Sequence, residues 1–216
     1  REDGYLPEAF LNMLALLGWN PGNEQELFTM DELVVKFSLD RVSKNGARFD
    51  PEKAKWFNHQ YLQKVPLSNL VADFSSVLTQ KAITISQDKV TQIVALVRER
   101  ATFVTDLWEL SHFFFEAPKE YEAKALKKQW KAHSSSILSQ LIEVIKGLTE
   151  FTPVIIEEHI KDFITKNNLG LGQVMPLIRL ALVGEMKGPD VFSIIAILAK
   201  EETIYRLQNL LQYPKE

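Results

Sequence analysis

The sequence predicts an all-α fold of consecutive helical bundles with no substantial sheet. Three observations predict it. Val90, Ile93, Val94, Val97 and Ala101 follow the i, i+3, i+4, i+7, i+11 spacing of one helix face. Ile137, Leu138, Leu141, Ile142, Ile145 and Leu148 repeat it, as do Ile155, Ile156, His159, Ile160, Phe163 and Ile164. No stretch alternates apolar and polar residues with period two between hairpin-type turns.

Capping chemistry places the elements in order. A helix over 7–17 stops at Gly18, and Thr29-Met30-Asp31-Glu32 reads as a capping box that opens a helix over 31–38. Asp50-Pro51 puts a side-chain cap before a proline at the first helical position, giving 51–63. Val65-Pro66 restarts the chain as 67–80, and the first apolar stripe fills 87–100. Helices over 105–114 and 119–131 are separated by Glu116-Ala117-Pro118. Serines 134–136 cap a helix over 135–147 that ends at Gly147, and Thr152-Pro153 opens 154–167. The Leu169-Gly170-Leu171-Gly172 turn opens 173–183, which Gly184 stops; 190–200 and 201–212 follow. The Pro66 and Pro118 seams suggest three domains, 1–65, 66–116 and 117–216, and no repeat of fixed period supports a solenoid.

The 216 residues can bury a core without a disulfide or metal staple. A hydrophobic fraction of 46% with 25% charged residues is that of an ordinary globular protein, not of a disordered or collagen-like chain. Cysteine is absent, which removes disulfides, thiolate metal sites and cysteine nucleophiles and fits a reducing compartment. No apolar run approaches the ~20 residues of a membrane span, and no signal segment opens the sequence, so no membrane partner is expected. A start at Arg1 without methionine suggests a piece of a longer protein.

Net charge is −3, from 25 basic and 28 acidic residues. That balance argues weakly against nucleic acid as a partner, but the average hides a pattern. Residues 1–33 carry one basic and seven acidic residues, net −6; residues 34–65 carry seven basic and three acidic, net +4. A polyanion would therefore meet a patch, not a uniformly positive surface.

No catalytic constellation is visible in the sequence. His59, His112, His133 and His159 are too far apart in sequence for an H-x3-H metal pair. His133-Ser134-Ser135-Ser136 lacks the glycines of a nucleophile elbow and reads as helix capping. Leu169-Gly170-Leu171-Gly172-Gln173 lacks the third glycine and the preceding strand of a phosphate loop. Glu157-Glu158 and Glu201-Glu202 are adjacent on helices, so they diverge by about 100°. Val42-Ser43-Lys44 is similar to part of a nucleotide-binding lysine loop, but one Ser-Lys pair is a weak signal. From chemistry alone this is a non-catalytic helical module.

Longer strings are more specific. Gly4-Tyr5-Leu6-Pro7-Glu8-Ala9 and Leu14-Ala15-Leu16-Leu17-Gly18-Trp19-Asn20-Pro21-Gly22 resemble the bacterial-type glutamyl-tRNA synthetase family. So do Phe37-Ser38-Leu39-Asp40-Arg41-Val42-Ser43-Lys44, Ala47-Arg48-Phe49-Asp50-Pro51-Glu52-Lys53 and Trp56-Phe57-Asn58-His59-Gln60-Tyr61-Leu62. Near the other end, residues 171–184, Gly188-Pro189-Asp190, Ile197–Glu202 and Arg206-Leu207 resemble that family's last block. Val183, where threonine is common, and the additional Ile178 before Arg179 depart from it.

The resemblance implies a stem-contact helical region over 1–65 and two anticodon-binding bodies over 66–116 and 117–216. The family's nucleotide fold and its K-[LM]-S-K-R loop lie upstream of the Gly4 string, so Val42-Ser43-Lys44 is not that loop. This stretch should hold no cofactor and no catalytic residue, and should neither form glutamyl-adenylate nor charge tRNA. The parent would be a cytoplasmic class I ligase using ATP with magnesium. The implied partner is glutamate tRNA, bound by a monomer, with no DNA.

Arg98-Glu99-Arg100 resembles the family's R-x-R, whose second arginine reads the third anticodon base in members restricted to glutamate tRNA. That base is cytosine in glutamate anticodons and guanine in glutamine anticodons. Arginine only donates, so it suits the O2 and N3 acceptors of cytosine and opposes the N1 and N2 donors of guanine. On a helical wheel either Arg98 or Arg100 could point outward. The resemblance assigns Arg179 to the anticodon loop and Gly188, Pro189 and Val191 to its first base, with any contact at Gly188 made by backbone. Arg41, Lys44 and Arg48, in the basic stretch, would position phosphates. A helical protein-interaction module and the related glutaminyl enzyme, which reads tRNA with β-barrels, are the competing readings.

Overall fold

The computed structural model describes residues 4–44 and 46–214. Among them are twelve α-helices and no strand; a single isolated bridge joins Trp19 and Val42. The all-α expectation holds. The helices are α1 Pro7–Gly18, α2 Met30–Lys36, α3 Pro51–Leu62, α4 Leu67–Gln80, α5 Gln87–Val97 and α6 Asp106–Glu109. After them come α7 Ala123–Gln129, α8 Ser134–Gly147, α9 Pro153–Lys166, α10 Leu171–Val183, α11 Val191–Leu198 and α12 Lys200–Gln212. No helix among the described residues is long and apolar enough to cross a membrane.

The chain divides into two compact units, residues 1–110 and 111–216. In the first, α1 packs on α3 around Ala9, Met13, Ala54 and Phe57. Two buried asparagines fix the loops around this core. Asn12 Oδ1 accepts from Phe28 N (2.8 Å) and from the Tyr61 hydroxyl (2.6 Å). Asn58 Oδ1 accepts from Leu6 N (2.7 Å). The α4–α5 pair buries Leu70, Val71, Phe74 and Leu78 with Val90, Ile93, Val94 and Val97. Val65-Pro66 links α3 to α4 inside this unit.

In the second unit α10 is surrounded by α7, α8, α11 and α12 and buries seven of its thirteen residues. Arg206 of α12 is 1% exposed. Its Nη1 donates to Phe113 O (2.5 Å) and Leu182 O (2.7 Å), and its Nε donates to Glu202 Oε1 (2.7 Å). Burial lowers the guanidinium pKa, and the hydrogen-bonded Glu202 carboxylate opposes that shift.

The expected caps hold at Thr29, Asp50 and Thr152, and Gly184 takes the left-handed conformation (φ +86°) that ends α10. Four details differ from the sequence expectation. α5 ends at Val97 and tightens into a 3-10 turn, Arg98–Arg100, because Ala101 N and the Gln63 side chain both take the Arg98 carbonyl. The helix expected over 105–114 is broken into α6 and a 3-10 turn, His112–Phe114, on either side of the division between units. The start of α7 is delayed to Ala123 because Glu122 N donates to Gly184 O (2.8 Å) instead of entering a helix. The serines before α8 do not cap it: Ser134 Oγ accepts from Lys131 N (2.8 Å) and closes the preceding turn.

Candidate nucleic-acid interface

In the first unit the turn after α5 is held by the side chains of α3 and its C-cap. Gln63 Nε2 donates to Arg98 O (2.8 Å), His59 Nδ1 lies 2.8 Å from Ala101 O, and Asn58 Nδ2 donates to Thr102 O (2.6 Å). Asp106 Oδ2 then accepts from Thr102 N (2.8 Å) and Phe103 N (2.9 Å). The carbonyls of Arg98, Ala101 and Thr102 and the amides of Thr102 and Phe103, on either side of Glu99 and Arg100, are thereby fixed, and Ala101 is fully buried. The two arginines have opposite fates. Arg98 is half-buried and its Nη2 donates back to Gln63 O, so its guanidinium is a strut. Arg100 is exposed, and its side chain makes no hydrogen bond, ion pair or ring contact among the described residues. A 3-10 turn advances about 120° per residue, so residues 98 and 100 must point apart. This geometry leaves Arg100 as the outward cation on a rigid backbone.

The basic stretch in the same unit is less available than its charge suggests. Lys53 pairs with Glu26 and Lys55 with Glu52, both at 2.8 Å. Lys36 donates to Gln25 and stands over the Phe28 ring, and Lys64 stands over Tyr61. Arg41 Nη1 donates to Pro21 O (2.6 Å), pinning the Pro21-Gly22 turn. Lys44 and Arg48 are exposed and take part in no ion pair among the described residues.

In the second unit the structure brings Arg179 and the 184–191 turn together. A Cβ added at Gly188 would lie 2.9 Å from Arg179 Nη1 and 3.9 Å from both Val183 methyl carbons. Gly188 also has φ +148°, a conformation that side chains disfavour. The backbone conformation favours glycine there, and a Cβ would also displace the mobile end of Arg179. Pro189 is buried and Val191 is 3% exposed, so these two residues shape the turn and offer a ligand only backbone. Asp190 caps α11 through Ser193 N (2.7 Å). Among the described residues no group of three or more His, Asp or Glu side chains could hold a metal ion.

Sequence reasoning missed the positioning role of Asn58 and Gln63 and the depth of Arg206. The signal for Asn58 was present: an amide on the same helix face as Ala54 and Phe57 has to find partners when buried. His59, partly buried with Nδ1 against Ala101 O, plays a structural part in holding this turn.

Residues 53–211 match the family model of the anticodon binding domain, and residues 1–56 match that of the catalytic domain of class I tRNA synthetases (E and Q). The glutamate–tRNA ligase of Flavobacterium johnsoniae is 48% identical over 209 residues, which cover 97% of this chain and 42% of that protein. That of Porphyromonas gingivalis is 43% identical over 98% of this chain and 42% of its own length. A crystal structure of a glutamate tRNA ligase from Elizabethkingia meningosepticum, in complex with its amino acid, superposes with a TM-score of 0.94 at 44% identity. It is covered over 43% of its length and covers all of this chain. The chain thus spans less than half the length of the curated relatives it matches.

Proposed function

The chain belongs to the anticodon binding domain family, and from that premise we propose that it is the tRNA-reading part of a glutamate–tRNA ligase. Residues 1–65 would support the inside of the tRNA arm, and 66–116 with 117–216 would read the anticodon loop of glutamate tRNA. The whole ligase would be a cytoplasmic monomer that activates glutamate with ATP and magnesium and esterifies the tRNA 3′ end. We assign that chemistry to residues outside this stretch, of which only residues 1–56 match the catalytic-domain model.

The observation that carries the reading is the contrast between Arg98 and Arg100. An unpaired loop base is read by splaying it out and bonding its Watson–Crick edge. A reader needs a donor held on a backbone that does not move. Arg100 meets both requirements; Arg98 is committed to Gln63. The guanidinium donates to O2 and N3 of cytosine at the third anticodon position and meets the donors of guanine unfavourably. Arg179, Gly188, Pro189 and Val191 are assigned to the rest of the loop, the last three through backbone. Lys44 and Arg48 are assigned to phosphates, with Arg41 shaping the turn beside them.

The test is binding of anticodon stem-loops that carry cytosine or guanine at the third position. Arg100→Gln should remove roughly 1–3 kcal/mol of discrimination between them, on the scale of other bidentate base contacts. Arg98→Gln should act on stability instead. An unchanged preference for cytosine in Arg100→Gln would take the reading role away from Arg100. The match of 159 residues to an RNA-reading family leaves no observation in favour of a protein-interaction module.

A further inference from the structure

Beside the 184–191 turn lies a basic ridge that the functional reading has not used. Lys124, Lys127 and Lys128 follow i, i+3, i+4 on α7, and Lys131 lies just past its end. All four are exposed, and none pairs with a carboxylate among the described residues. The lysines of residues 34–65 differ: most of them are paired or stacked within the molecule. The opposite side of α7 carries Ala125, 5% exposed, and packs on α10.

The ridge is fastened to the turn. Glu122 N donates to Gly184 O (2.8 Å), Met186 N donates to Glu122 Oε2 (3.4 Å), and a Cβ at Gly184 would lie 3.1 Å from Glu120 O. An open notch of about 510 Å³ runs along α7, lined by Tyr121, Leu126, Lys127, Trp130 and Tyr213. Uncompensated lysines beside aromatic faces are the features that grip unpaired nucleic acid: cations follow the phosphates, and rings accept bases of any sequence.

We propose that α7 is a second RNA-contact surface, in which Lys124, Lys127 and Lys128 grip phosphates of an unpaired strand and the Trp130–Tyr213 notch receives one of its bases. The proposal rests on the reading of the 184–191 turn as an anticodon-loop contact and extends it to the strand that leaves that turn. The ridge supplies affinity without sequence preference, because lysine meets phosphate as a point charge.

The experiment titrates the chain with an anticodon stem-loop across a salt series and compares wild type with Lys124→Gln/Lys127→Gln/Lys128→Gln. Each phosphate contact to a single strand contributes about 0.7 to the slope of log K against log salt. The triple variant should therefore lose about 2 from the magnitude of the slope and bind tenfold or more weakly near 0.15 M salt. The preference for cytosine over guanine at the third anticodon base should be kept. Replacing the same three lysines by arginine should retain the slope, which separates charge from fold, and circular dichroism monitors helix content. A wild type that binds with a measurable slope and a glutamine variant with the same slope would overturn the ridge alone. A wild type that fails to bind the stem-loop would overturn the anticodon reading as well.

Discussion

Replacing Gly188 by alanine should disturb Arg179 before anything else in the second unit. The new Cβ would stand 2.9 Å from Arg179 Nη1, closer than real contacts allow, and the backbone there has φ +148°. Two effects follow. A side chain in that conformation costs of order 1–3 kcal/mol, which for a protein of this size lowers the melting temperature by about 2–4 °C per kcal/mol. The guanidinium, being the flexible partner, must also swing away from the turn. If Arg179 donates to the anticodon loop, losing a charge-assisted hydrogen bond removes about 1.5–3 kcal/mol of binding, roughly ten- to a hundredfold in Kd. The assay is stem-loop affinity for Gly188→Ala, Arg179→Gln and the double variant, each checked by thermal melting. Because Gly188→Ala displaces the guanidinium that Arg179→Gln removes, the double variant should lose less binding than the sum of the two single changes. Additive losses, or wild-type affinity in Gly188→Ala, would refute the placement of Arg179 at the RNA.

Other predictions concern charge and strain. Lys44→Gln with Arg48→Gln should weaken tRNA binding without altering anticodon preference, measured with the same stem-loops and with full tRNA; a loss confined to one anticodon would contradict a phosphate role. Ala199, between α11 and α12, has φ +70° and ψ 173°, a region held almost only by glycine. Ala199→Gly should therefore stabilise the chain by about 1 kcal/mol, read as a higher melting temperature, and a lower one would show that the strain is already relieved. Arg206→Met leaves Phe113 O and Leu182 O without their donor, at about 1–3 kcal/mol each. Hydrogen exchange of α10 and α12 amides should accelerate while α4 amides in the other unit stay protected.

Helix periodicity and capping chemistry made most of the fold legible, because both are local. Thr29-Glu32, Asp50-Pro51 and Gly184 act within one turn of chain, and each does in the structure what its residue type dictates. The misplaced ends are set by distant partners. α5 stops at Val97 because of a glutamine 35 residues away, and α7 starts late because of a carbonyl more than sixty residues on. The candidate site divides the same way. The string Arg98-Glu99-Arg100 was visible, but which arginine faces outward depended on Gln63, which no spacing rule connects to it. The basic excess of residues 34–65 was visible too. The Glu52–Lys55 pair is local (i, i+3), but the neutralisation of Lys53 by Glu26 required knowing which distant carboxylate folds back onto the stretch.

The three polar residues at the end of α3, Asn58, His59 and Gln63, hold the neighbouring turn by its carbonyls alone. Such a grip is indifferent to which side chain projects from position 100. The guanidinium can be exchanged for a group with a different donor pattern while the scaffold beneath it keeps its shape. If Arg100 reads the anticodon as proposed, a change of preference is then within reach of a single codon, with no refolding to accompany it.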